Sequence, residues 1–177
     1  MYIVLVATFE TRIFLLGPGK SFYWEATDSD HGLSSLIDAF MLWADSALKD
    51  QDPSVVVSLT LVFDELYMNA LMHGYKKTPT YFWVSIHAFV QRDKVIAIYR
   101  DKAVKFNPLL ISTKDRDHFV DRPIEEIALG GLGIHIIRKF VDDISYSFVD
   151  DCNVVTVTKR LQVPGTRGAA STGPDTY

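Results

Sequence analysis

The segment Pro53 to Tyr75 constrains the fold more than any other part of the chain. Leu59, Val62, Phe63, Leu66, Ala70 and Leu71 share one helical register and make an apolar face that requires burial. Glu65, Asn69 and His73 follow at i, i+4 and i+8, so a carboxylate, a carboxamide and an imidazole line one side of the same helix. Asp52-Pro53 opens it, with proline at an early helical position where its missing amide costs nothing. Gly74 predicts a left-handed cap at its end. Taken alone, the polar row reads as a solvated helix face, with His73 suited to the negative end of the helix dipole. The downstream sequence gives it a second meaning.

The flanking segments define the layers. Residues 1 to 24 are apolar and β-rich, broken at Gly17, Pro18 and Gly19, and predict one or two strands. Asp28 to His31 offer capping side chains before a first helix in which Leu33, Leu36, Ile37, Phe40, Trp43 and Ala47 recur with helical period. Tyr81 to Val90 and Lys94 to Tyr99 read as a hairpin joined by Gln91, Arg92 and Asp93. A third helix is predicted from Leu132 to Asp142, and SYSFV and NVVTVTKRL read as closing strands around a turn at Asp150 to Asn153. This order predicts an α+β two-layer sandwich: a mixed, mainly antiparallel sheet with helices on one face. The other sheet face is left to solvent, a partner or a second subunit.

A chain of 177 residues with 48% hydrophobic content fills one core, so we expect a single domain over 1–161 and a Gly, Ser, Thr and Pro-rich, disordered tail over 162–177. A formal charge of -4 with no Lys/Arg run argues against direct nucleic-acid binding. Cys152 is the only cysteine, which excludes an intrachain disulfide framework and suits a reducing compartment. The apolar start lacks a basic region and is interrupted by Glu10, Thr11 and Arg12, so it reads as strand rather than signal peptide. No uninterrupted apolar run approaches the ~18 residues of a membrane span. A cytoplasmic protein is the expectation.

Two further segments carry chemistry. Gly130, Gly131 and Gly133 precede an apolar-periodic helix, so its backbone can approach a ligand closely and its first amides point outward. Such a helix end binds phosphate, although the same glycines also suit a hinge. In RDKAVKFNP, Asp101 stands at a strand end, as a turn residue or as a carboxylate able to accept a hydrogen bond from an exocyclic amine.

In order and spacing, ELYMNALMHGY, DKAVKFNP and GGLGIHIIRKFVDDISY resemble the three nucleotide-binding boxes of the GHKL ATPase superfamily. The resemblance runs from Leu33 to Leu161 and is nearest to the stand-alone anti-sigma-factor serine/threonine kinases, single domains of the Bergerat type. It implies ATP and Mg²⁺ as cofactors, with Asn69 as the metal-binding asparagine. By the same resemblance Glu65 is the general base that deprotonates an attacking hydroxyl. His73 lines the nucleotide pocket, Asp101 accepts the adenine amine, and Ala103 stands where the family has the glycine of D-x-G. Gly131, Leu132, Gly133 and Ile134 grip the phosphates, Leu109 to Leu129 form the lid, and Thr156 supports adenine through a water. The implied partner is a small antagonist protein carrying a Ser or Thr acceptor, with a sigma factor as a further partner. A homodimer fits the open sheet face and the aromatic-rich first segment, as does an ordinary core.

Ala103 is the departure from that pattern. If its backbone needs positive φ, alanine costs about 1 to 2 kcal/mol; if the base must approach closely, its methyl group intrudes; in an ordinary β conformation it costs nothing. Two readings follow: an ATP-dependent serine/threonine protein kinase acting as an anti-sigma-type regulator, or a catalytically weak or inactive module of the same fold that sequesters a partner.

Overall fold

The computed structural model describes residues 2–7, 11–16, 21–76, 81–110 and 132–162. A seven-stranded sheet is built from β1 (Tyr2–Ala7), β2 (Thr11–Leu16), β3 (Ser21–Ala26), β4 (Val84–Gln91), β5 (Lys94–Asp101), β6 (Asp143–Val149) and β7 (Cys152–Arg160). The order across it is β1-β2-β3-β4-β5-β7-β6. All six described pairings are antiparallel, as the mainly antiparallel expectation required. The amino-terminal segment supplies three strands, β1 to β3, rather than the one or two expected. Its turn glycines, residues 111–129 of the expected lid and residues 163–177 of the expected tail lie outside the described residues.

Helices α1 (Gly32–Ala47), α2 (Pro53–Asn69) and α3 (Leu132–Phe140) supply the second layer. Strand alternation sets what they cover. In β3, buried Phe22, Trp24 and Ala26 alternate with half-buried Ser21, Tyr23 and Glu25. In β5, Val95, Ala97, Tyr99 and Asp101 are the buried series, which brings a carboxylate to the end of a core-facing row. Phe22, Phe40, Trp43 and Phe63 are fully buried at the centre. Phe40 and Phe63 meet edge to face at 4.9 Å. Each such side chain contributes about 1.5 to 3 kcal/mol through burial.

Helix α2 starts as its sequence predicts, with Pro53 in the first turn and the Asp52 side chain accepting from the Ser54 amide at 2.8 Å. At α1 the expected capping differs: His31 precedes the helix without a side-chain cap, and the Asp28 carboxylate accepts from the Asp30 amide instead. By length and composition Pro53–Gly74 could cross a membrane. In the fold it is the central core helix, with Val55, Leu59, Val62, Phe63 and Leu66 buried.

The end of α2 departs from the left-handed cap predicted at Gly74. Residues Ala70–Gly74 form a π-helical turn, closed by the Tyr75 amide donating to the Ala70 carbonyl at 2.7 Å. The left-handed residue is Lys76, at φ 56°. Gly74 is needed for space: a Cβ there would collide with the Cβ of Ala103. Next to it, the Tyr75 hydroxyl donates to the Trp83 carbonyl at 2.7 Å and accepts from the amides of Lys102 at 2.9 Å and Trp83 at 3.3 Å. That one oxygen ties the helix end to the start of β4 and to the residue after Asp101. Burial pushes the Tyr75 hydroxyl up to about 12, so it remains a neutral donor.

Gly74→Ala should lower stability by about 1 to 3 kcal/mol in urea unfolding, and adding Ala103→Gly should return most of that loss. Tyr75→Phe should cost about 1 to 3 kcal/mol in the same assay, because it takes the partner from the Trp83 amide and leaves the Lys102 amide and the Trp83 carbonyl only their longer bond to each other, at 3.3 Å.

Candidate functional site

The site is built where the carboxyl end of β5, the α2–π junction and the first turn of α3 meet. β5 and β7 pair Tyr99 with Val155 and Asp101 with Asn153. A cavity of about 40 Å³ opens there, lined by Leu66, Asn69, Ala70 and Gly74 from the helix side and by Tyr99, Asp101, Asn153 and Val155 from the sheet. Ala103, Val104, Phe106 and Pro108 make its outer wall, with Val104 and Phe106 exposed. This is small beside the roughly 300 Å³ or more of a ligand pocket.

Asp101 is 5% exposed, and burial raises its pKa, a shift opposed by hydrogen bonds from Asn153 and Ala103. Both described bonds fall on Oδ1: the Ala103 amide donates at 2.9 Å and the Asn153 side-chain amide at 2.8 Å. Asn153 also donates to the carbonyls of Ala103 and Val104, while its Oδ1 accepts from the Phe106 amide and the Tyr146 hydroxyl. It therefore fixes the Asp101 side chain and the following segment together. Sequence reasoning placed Asn153 in a turn and missed it. Its role follows only from the pairing with Asp101, which depends on the tight turn at Asp150 and Asp151, both left-handed at φ 52° and 58°.

Glu65 and Asn69 lie side by side on α2 and face α3. A Cβ added to Gly133 would collide with Glu65 Oε2 and approach Asn69 Nδ2 to 2.9 Å. The first turn of α3 thus rests directly on the two polar side chains. Burial, and then the charge of Asp64, raises the Glu65 pKa. Leu132 opens α3 and Ile134 is buried beneath it; Gly130 and Gly131 lie outside the described residues.

Two predicted site residues are not brought to this place. His73 is exposed and does not line the cavity, because the π turn winds more slowly than an α-helix and carries the fourth residue after Asn69 out of line. Gly74 takes the inward position. Thr156 pairs with Ile98 on β5 and lies on the sheet face away from the helices, since Asn153, Val155 and Val157 are the buried series of β7. A water-mediated role toward a base on the helix side is therefore excluded by the pleat.

Ala103 does not have positive φ, so the strain considered for it is absent. Its methyl group fills the space left by Gly74.

The donor set suits a magnesium nucleotide. Among the described residues no three His, Cys, Asp or Glu side chains gather as a metal cage. A hard cation at Asn69 would have one neutral protein oxygen and depend on phosphates and water for the rest. The close approach at Gly133 keeps the backbone of α3 near that oxygen, where amides of a helix start meet anions.

Comparison with known proteins identifies relatives of the chain. The chain matches the serine-protein kinase RsbW of Bacillus mycoides (strain KBAB4) at 25% identity over 104 residues, 59% of this chain and 63% of that protein. It matches RsbW of Bacillus cereus (strain G9842) at 23% over 107 residues, 60% and 65% of the two chains. For RsbW of Staphylococcus aureus (strain JH9) the figures are 23% over 112 residues, 63% and 66%. These matches span just under two thirds of each relative's length. The family model of the histidine kinase-like ATPase domain matches residues 33–159, which contain every element around the cavity. With that match and the convergence of Glu65, Asn69, Asp101 and Gly133, the chain belongs to the histidine kinase-like ATPase domain family.

Proposed function

We propose that the chain is an ATP-dependent serine/threonine protein kinase of the anti-sigma type, which phosphorylates a small antagonist protein in the cytoplasm and engages a sigma factor. The observation that carries this reading is the contact of Gly133 with both Glu65 and Asn69, beside the cavity that holds Asp101. Similarity to serine-protein kinases supports the choice of a hydroxyl acceptor.

Bound Mg-ATP would supply the phosphoryl group and neutralise its charge. The residues of the chain would do the rest. The Asn69 carboxamide oxygen holds the cation, and the backbone of Leu132, Gly133 and Ile134, with Gly131 before it, meets the anionic tail. The free side of the Asp101 carboxylate accepts a hydrogen bond from the adenine amine, a choice of adenine over guanine. Glu65 would take the proton from the acceptor hydroxyl as its oxygen attacks the γ-phosphorus, the bond to the bridging oxygen breaking to release ADP. The product would carry about two added negative charges in the partner interface, which weakens that complex. The narrow cavity favours one second reading, a sequestering module of the same fold with weak nucleotide binding.

Calorimetry should show micromolar Mg-ATP binding, and Asn69→Ala should remove its Mg²⁺ dependence. No heat at millimolar nucleotide would leave only the sequestering reading. Glu65→Gln should keep nucleotide binding and lose transfer to the partner protein.

The pH dependence follows from the raised Glu65 pKa. The base works only when ionised, so the rate should rise with pH along an acid limb lying above the ordinary glutamate range, and Glu65→Asp should move that limb. The folded state holds the Glu65 proton more tightly than the unfolded chain does. Its stabilising effect is thus present at low pH and lost as pH rises through the folded pKa. Accordingly, Glu65→Gln should raise Tm at pH 7 and lose that advantage on acidification.

A further inference from the structure

Among the described residues, several of the large apolar side chains left in solvent fall on adjacent surfaces of α1 and α2: Met41 at 48% exposed, Leu42 at 54%, Val57 at 55% and Leu61 at 37%. Exposed apolar residues standing singly are ordinary, but these are joined. A groove of about 320 Å³ runs between the two helices, with Met41, Ala44 and Leu48 on one side and Val56 and Val57 on the other. Its surroundings are acidic. Asp38 and Asp45, one helical turn to either side of Met41 and Leu42, are exposed, and Asp64 follows Leu61 by three residues. None of these three aspartates has an ion pair among the described residues.

Helix register connects this patch to the proposed chemistry. Val57, Leu61 and Glu65 follow one another at i, i+4 and i+8, so the apolar pair leads along α2 to the residue that would take the acceptor proton. Leu61 lies one turn before Glu65 and Val57 two, about 6 and 12 Å along the helix axis. A protein whose hydroxyl reaches Glu65 must rest its body on a neighbouring surface. α3 occupies one side of Glu65, at Gly133, and the exposed continuation toward the start of α2 is the apolar stripe.

We propose that this face of α1 and α2 docks the acceptor protein, through a surface that is apolar at its centre and carries lysine or arginine at its edge. The inference rests on the kinase reading and gives its substrate a recognition surface outside the nucleotide cavity. Burial of the apolar side chains supplies affinity, and the unpaired aspartates select the charge of the partner's rim. It also accounts for Val57 and Leu61 standing on the solvent side of a helix whose core face is already filled by Val55, Leu59, Val62 and Phe63.

The test uses the full chain with γ-radiolabelled ATP and a soluble extract of the cells that make it, following label transferred to protein. Transfer that wild type performs and Glu65→Gln does not defines the acceptor. If wild type performs none, the kinase reading fails and this inference with it. Given such transfer, Val57→Asp and Leu61→Asp should each lower it about tenfold at limiting extract, and concentrated extract should restore it, because the defect lies in docking and not in the transfer step. Tm and ATP binding should keep their wild-type values. Val149→Asp, at an exposed apolar residue of β6, should transfer normally. Asp38→Lys combined with Asp45→Lys should lower transfer about threefold at low salt and little at high salt. Unchanged transfer in the Val57 and Leu61 variants, a loss that concentrated extract does not restore, or indifference to the charge reversal would overturn the proposal. So would conversion of a wild-type dimer to monomer by Leu61→Asp with transfer unchanged, which assigns the face to a second copy of the chain.

Discussion

Two helices touch where one of them has no side chain, and the site depends on that contact. At Gly133 the backbone of α3 lies against Glu65 and Asn69, and the smallest addition, a methyl group, would strike both. The proximity places the polar row of α2 and the start of α3 in one volume. Neither feature is informative alone, since a polar helix face is ordinarily solvated and a glycine turn is ordinarily a hinge. Their contact makes a place where a carboxylate, a neutral oxygen and backbone amides converge.

The sheet brings the third element by simple alternation. Because β5 buries every second residue, the series Val95, Ala97, Tyr99 and Asp101 ends in a carboxylate on the helix side. Asn153, directly across on β7, holds one oxygen of that carboxylate and the peptide segment beyond it. The Tyr75 hydroxyl secures the same segment at Lys102 from the end of α2. Helix end, strand end and turn are thus linked by side chains of two residues, and a shift in one is felt by the others.

Much of this was legible from residue order. The periodicity of α1 and α2, the Asp52-Pro53 start, both hairpin turns and the Glu65, Asn69 and Asp101 positions follow from local patterns. What escaped depends on geometry that no local pattern encodes. A π turn after Asn69 breaks the spacing that aligned His73, and strand register puts Asn153 across from Asp101 and turns Thr156 to the other sheet face. Ala103 looked like a defect when compared with a glycine pattern. Its methyl group packs where Gly74, 29 positions earlier, leaves room, a contact visible only in three dimensions.

The central claim is that these three separated pieces surround one adenine nucleotide. Backbone amide chemical shifts measured on titration with Mg-ATP test it most directly. The account predicts perturbations concentrated in Asn69 to Gly74, Asp101 to Phe106 and Leu132 to Ile134. Perturbations confined to other surfaces, or reaching the α2 segment without the Asp101 segment, would contradict it.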